Sequence, residues 1–159
     1  VYDVLKHSYV SNMLEYTYLV NDNSFNIYKL LKLCLNNIES NVSEKIVVSY
    51  FLAKILKEQG FMFKYQRTDY NYVGYSFQKN SFVDKFNTDY SVYGLNDHLV
   101  KLTYYLSIKN IDFLESLEIE NKDLIRLFSF FNMLFKEYIG VETKSYKKIL
   151  ELEEVLGSK

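Results

Sequence analysis

The chain predicts a mainly α fold, a compact helical bundle with a small β insert. Through most of its 159 residues, apolar side chains recur at spacings of three and four, the period that lines one face of a helix. From about residue 61 to 93 the period falls to two, through Phe61, Phe63 and Tyr65 and then Tyr70, Tyr72, Tyr75, Phe77, Phe82 and Phe86, as a half-buried strand requires. A chain of this length supports one cooperative core. Residues 1–159 therefore read as a single domain interrupted by the insert, without an internal repeat or a flexible linker.

Leu5, Tyr9, Met13, Tyr16 and Val20 form the buried stripe of a first helix, which Asn21 to Asn23 end. Ser24 is placed to cap a second helix with Ile27, Leu31, Cys34, Leu35 and Ile38 inward and Lys29, Lys32 and Asn36 toward solvent. Ser43 opens a third, apolar on most faces (Val47, Val48, Phe51, Leu52, Ile55, Leu56) and hence central; Gly60 closes it in a left-handed position. After the insert, Asn96 and Asp97 start a short helix with Leu99, Leu102 and Leu106 inward, and Ile111 to Leu117 form another turn or two. Asn121 is the expected cap of the second core helix, which carries Leu124, Leu127, Phe128, Phe131, Leu134, Phe135 and Tyr138 and stops at Gly140. Lys144 to Leu156 form a terminal amphipathic helix with Tyr146, Ile149, Leu150 and Val155 inward and Glu151, Glu153 and Glu154 outward.

Composition narrows the function classes. With 48% apolar and 25% charged residues the chain has the usual soluble mix, and its apolar runs fall far short of the ~20 residues that cross a bilayer. A formal charge of −1 supplies no overall field for nucleic acid or an anionic membrane, so any nucleic-acid contact rests on local cations. The single cysteine, Cys34, rules out an intrachain disulfide framework, and with no secretory leader pattern the expected location is the cytoplasm. The first residue is Val rather than Met and the helical pattern begins at once, so the chain is expected to be the C-terminal part of a longer protein.

No organised acid, base or nucleophile is visible, and none of the phosphate-binding, dinucleotide, nucleophile-elbow or zinc-protease motifs occurs, so catalysis is not expected. Cys34 falls in an apolar stripe, His7 and His98 stand alone, and Asp84 and Asp89 read as turn residues rather than an acid and base pair. The insert interleaves Lys64, Arg67, Lys79 and Lys85 with aromatics, a mixture that can stack bases, although any half-buried strand needs the same aromatics. Lys144, Lys147 and Lys148 open the terminal helix, where cations oppose the helix dipole and need some other reason to be there.

Taken in order, these segments resemble the C-terminal domain of the RecO family of bacterial recombination mediators. The helix at Tyr9 to Leu19, followed by Phe25, Tyr28, Leu30, Leu31 and Leu35, is similar to the family's opening helix pair. Phe51, Leu52, Lys54, Ile55 and Leu56, then Gly60 and Phe61, are similar to its Phe-Glu-x-x-Leu-Leu helix ending in Leu-Gly-Tyr. The insert stands where many members carry a zinc ribbon. Phe135, Tyr138 and Gly140, then Lys144 and Ser145, are similar to the family's closing segment.

The resemblance implies a non-enzymatic DNA repair and recombination mediator that anneals strands and helps load the recombinase. It also implies an N-terminal OB fold, absent from this chain, that binds single- and double-stranded DNA, and as partners RecR and the acidic C-terminal tail of single-strand-binding protein. The chain departs from the family in two respects. Asp69, Tyr70, Asn71 and Tyr72, and later Thr88 to Tyr90, stand where zinc-binding members have paired cysteines, so no metal or other cofactor is expected and aromatic packing among Tyr72, Phe77 and Phe82 is expected to hold the insert. Ser49 and Tyr50 stand where a basic residue is expected, so cations for an acidic tail or for DNA must come from elsewhere; Lys54, Lys57, Arg126, Lys144, Lys147 and Lys148 are the candidates. The alternative reading is a helical interaction scaffold with no connection to DNA.

Overall fold

The computed structural model describes residues 2–20 and 26–157. Helices α1 (Tyr2–Leu19), α2 (Ile27–Glu39) and α3 (Glu44–Glu58) precede a three-stranded sheet of β1 (Tyr72–Ser76), β2 (Ser81–Asp84) and β3 (Val92–Gly94). Helix α4 (Asp97–Ile108), a 3-10 turn (Ile111–Ser116), α5 (Asn121–Leu134) and α6 (Ser145–Leu152) follow; α5 and α6 each run on into a π-helical turn, Phe135–Ile139 and Glu153–Gly157. The expected mainly α bundle with a small β insert is the fold observed.

Helix α3 is the axis of the bundle. It packs against α1, α2, α4 and α5, and Val47, Val48, Phe51, Leu52, Ile55 and Leu56 are fully buried. Each such side chain contributes about 1.5–3 kcal/mol relative to exposure, which is why an all-round apolar helix lies at the centre. The stripe read for α1 is buried throughout, and so is that of α2 apart from the half-buried Leu35. Gly60 (φ 94°) and Gly140 (φ 77°) end α3 and the α5 extension with positive φ, where a side chain would be strained.

Several helix boundaries differ from the sequence expectation. The Ser24 cap and the stop at Asn21 to Asn23 lie outside the described residues; the cap seen on α2 is Asn26, whose side chain accepts from Lys29 N. Ser43 sits at the cap position of α3 but its side chain makes no cap bond. Asn121 does not cap α5: Glu120 holds that position, and the Asn121 side chain instead accepts from the Lys45 ammonium. The terminal helix also departs from its pattern, for Val155 is 65% exposed while Glu153 is 4% exposed. The π turn at Glu153–Gly157 breaks the 3.6-residue spacing on which that pattern rested, and Lys45 gives the buried carboxylate a partner.

The insert is an antiparallel sheet of order β2-β1-β3, with Tyr75 opposite Phe82 on one side and Tyr93 on the other. Its strands occupy only residues 72–94; the segment 61–71, expected to be strand-like, joins no sheet. The two-residue alternation there is nevertheless one of burial, with Phe61, Phe63 and Tyr65 toward the helices and Met62, Lys64 and Gln66 exposed. Rings form the insert's packing centre: Tyr75 meets Phe77 (5.1 Å), Phe82 (5.3 Å) and Phe130 of α5 (5.4 Å) at edge-to-face angles. Tyr72 joins through Phe82 at 6.1 Å.

Candidate functional site

Where the insert meets the ends of α3 and the α5 extension, a cleft of about 520 Å³ opens, walled by Phe61, Tyr72, Tyr75, Phe82 and Tyr138 with Lys64 on its exposed margin. The chain builds it in three steps. Gly60 turns the backbone out of α3 and delivers Phe61, which lies 5.2 Å from the Tyr138 ring. The β1-β2 hairpin turns at Asn80, whose φ of 55° suits asparagine better than other side-chain-bearing residues. The Tyr138 hydroxyl then donates to Asn80 Oδ1, and the Tyr75 and Tyr138 hydroxyls share a 2.5 Å hydrogen bond.

Burial pushes the hydroxyls of both Tyr75 and Tyr138 above the ordinary phenol range, so they stay neutral and serve as hydrogen-bonding tips on apolar rings. A second, smaller hollow adjoins the first through Gly60, Phe61 and Tyr138, giving one continuous aromatic surface. Such a surface with a cation at its margin can take an apolar side chain that carries a negative charge beside it. Tyr138 was legible in the sequence only as a core residue and Met62 on the cleft wall not at all. The exposed half of the 61–66 alternation is the pattern that marks Met62 and Lys64.

The six sequence candidates fall in three places. The Lys54 ammonium donates to the carbonyls of Ser107 (3.0 Å) and Lys109 (2.6 Å) and lies over the Tyr50 ring, so it closes the C-terminal end of α4. Lys57 is exposed one turn further along α3. Arg126 of α5 donates to Gly94 O and stacks 4.7 Å from the Tyr93 ring, clamping β3. Lys144, Lys147 and Lys148 are exposed around the start of α6. What sets these three against the helix dipole is now visible: the Glu15 carboxylate of α1 accepts from Lys144 N (2.7 Å) and Ser145 N (3.0 Å), supplying the anion that a helix N-terminus favours.

Cys34, Asp84 and Asp89 are tied into structure. Cys34 is buried, and burial pushes its thiol up to about 12, too high for a nucleophile near neutral pH. Asp84 Oδ1 accepts from Phe86 N and Asn87 Nδ2, while Asp89 accepts from Ser76, Ser91 Oγ and Ser91 N, which hold its carboxyl below the usual range. Both are the turn carboxylates that their setting predicts. No group of three or more His, Cys, Asp or Glu side chains converges among the described residues. The donors at 69–72 and 88–90, two carboxylates among hydroxyls and an amide, do not fit the sulfur and nitrogen set of structural zinc.

The order and placement of these elements can be set against known proteins. The sequence matches the family described as Recombination protein O C terminal over residues 7–147, a range that takes in most of α1, the insert, the cleft and the start of α6. The chain belongs to the RecO C-terminal family. The DNA repair proteins RecO of Staphylococcus aureus strains MRSA252 and Newman are each 27% identical to it over 137 residues, which is 80% of this chain and 55% of the relative. The chain thus spans about half the length of the curated relatives it matches. No solved structure matches it. Among the described residues no helix is long and apolar enough to cross a membrane.

Proposed function

We propose that this chain acts in DNA repair and recombination as the C-terminal helical part of a RecO-type mediator. In this reading it is a non-catalytic binding unit that takes the acidic tail of single-strand-binding protein, meets RecR, and supports strand annealing and recombinase loading beside an OB fold encoded elsewhere in the parent protein. Family membership across residues 7–147 supports the setting. The observation that carries the binding mode is the aromatic cleft at Phe61, Tyr75, Phe82 and Tyr138. An apolar residue at the end of the tail enters between these rings, and Lys64, with Lys79 further along the hairpin, meets the tail carboxylates. In this reading the docking place is the junction of the helices with the insert.

The insert keeps its fold without metal in this proposal, because its aromatic packing fills the role that cysteine-bound zinc has in other members. The binding mode is tested by chemical-shift mapping of the labelled chain with a tail peptide. Perturbations should centre on Tyr75, Phe82 and Tyr138, and Lys64→Glu should weaken binding several-fold. Shifts confined to α6, with Lys64→Glu neutral, would relocate the site.

A further inference from the structure

The alternation at 61–68 has the period of a strand, yet this stretch pairs with nothing. It joins no sheet, and among the described residues no main-chain group of 62–68 takes part in a backbone-to-backbone hydrogen bond. The cleft that Met62, Lys64 and Gln66 border is bordered also by Ser81 and Phe82 of β2, an edge strand in the order β2-β1-β3. A further hollow of about 260 Å³ adjoins it through Tyr72, Ser81 and Phe82 and runs between Thr68 and all four residues of β2. Successive residues of a strand point to opposite faces, so a hollow that touches both Phe82 and Val83 lies along the strand's edge.

The opposite edge of the sheet is closed, because Arg126 of α5 donates to Gly94 O of β3 and the Tyr93 hydroxyl donates to Arg126 O at 3.0 Å. The β2 edge is open. Among the described residues its one backbone hydrogen bond outside the sheet is the turn from Asn87 N to Asp84 O, and the main-chain groups of Ser81 to Val83 that face away from β1 have no partner. An open edge of this kind is a template for another strand. The Tyr138 hydroxyl on Asn80 Oδ1 fixes the hairpin turn that carries β2, so little ordering is left for a partner to induce. Lys64 and Lys79 line the groove, while Asp84, which also lines it, is held by Phe86 N and Asn87 Nδ2.

We infer that the groove takes its partner as an added β-strand, hydrogen-bonded edge to edge with β2: an extended acidic peptide with apolar residues at alternate positions, read through its main chain. The added strand alternates its side chains as β2 does, so its apolar residues enter the cleft on the Phe82 face and the acids between them stay outside the rings, toward Lys64 and Lys79. The four residues of β2 offer about 14 Å of edge at the ~3.4 Å antiparallel rise, enough for a short tail and no more. A helix in the same groove would use the rings and leave the β2 edge unpaired; an added strand uses both. This rests on the docking proposed above and deepens it, since the partner class is set by an extended backbone and by alternation rather than by one tail sequence.

The test is fluorescence anisotropy of the whole chain with two labelled peptides: the single-strand-binding protein tail, and a hexapeptide of alternating Asp and Phe that shares with it only an acidic, extended character. Both should bind saturably. N-methylation of the hexapeptide amides in the alternate set that faces β2 should weaken binding on the order of tenfold, and methylation of the other set much less, so the effect has a period of two. Hydrogen exchange on the same complexes should show the outward amides among Ser81, Phe82 and Val83 gaining protection. Because the alterations are made in the peptide, the fold of the chain is not at stake. Tail binding that Lys64→Glu weakens, but with no period of two or no protection of β2, overturns strand addition and leaves the cleft reading standing. Binding of the tail without the hexapeptide overturns recognition through the main chain. Failure of both peptides to bind overturns strand addition and the cleft reading together.

Discussion

Glu153 and Lys45 form a nearly dry ion pair, with side chains 2% and 11% exposed. The ammonium donates to Glu153 Oε2 at 3.0 Å, lies 2.9 Å from Oε1, and is also held by Asn121. Removing one partner strands the other charge, at a cost of about 3–5 kcal/mol, whereas replacing both with apolar residues of similar volume is close to neutral. Urea denaturation should therefore show Glu153→Leu strongly destabilised and Lys45→Met with Glu153→Leu largely restored; additive losses would contradict the pairing. At the cleft, Tyr138→Phe removes the partner of the Tyr75 hydroxyl, and a buried hydroxyl left unpaired costs about 1–3 kcal/mol. Asp89 is the acid-sensitive point of the insert. Its carboxyl is depressed by the Ser76 and Ser91 hydrogen bonds, so its contribution is present above the ordinary carboxylate value of about 4 and fades as pH falls through the folded value. Near-UV dichroism of the tyrosines should lose amplitude below about pH 4, and Asp89→Asn should remove that step.

At the scale of elements, α6 shows how a helix that begins with three cations is kept in place. Glu15 caps it from α1, and behind the cap Asn12 donates to Thr143 (3.0 Å) and Ser145 (3.1 Å) while Tyr16 donates to Asn132. Since the Lys144, Lys147 and Lys148 side chains take no part in this anchor, exchanging all three for Glu should weaken DNA or tail binding without unfolding the chain; unchanged binding at matched salt would remove the cluster from the functional surface. The long helices were legible because their apolar stripes are local and periodic, as Leu5 to Val20 and Val47 to Leu56 show. Glu153 and Val155 were not, because a π turn and a partner more than a hundred residues away decided which of them went inside. The cleft was legible only in its parts. Phe61, Tyr75 and Phe82 stood out as alternating aromatics, but Tyr138 reaches them through a tertiary contact across the sheet that no spacing rule encodes.

For the molecule as a whole, α3 and α5 pack together in the core, the insert is attached to α5 through aromatic rings, and the cleft lies along that seam. Tyr75 and Tyr138 both fasten the insert and wall the cleft, so the proposed docking couples stability to recognition. An insert held by rings should melt at the same temperature with and without a chelator, and a chelator-dependent drop would restore metal to the account. The family match ends at residue 147, so Glu153 lies beyond it while its partner Lys45 lies within it. The central claim is that the cleft takes the apolar end of an acidic tail. It is tested most directly by a fluorescence-anisotropy titration of the chain with a labelled single-strand-binding protein tail peptide, at low and physiological salt, with and without the peptide's terminal Phe. The account predicts saturable binding at both salts that is lost with the terminal Phe and weakened by Lys64→Glu. Binding that ignores the terminal Phe, or no binding at either salt, would contradict it.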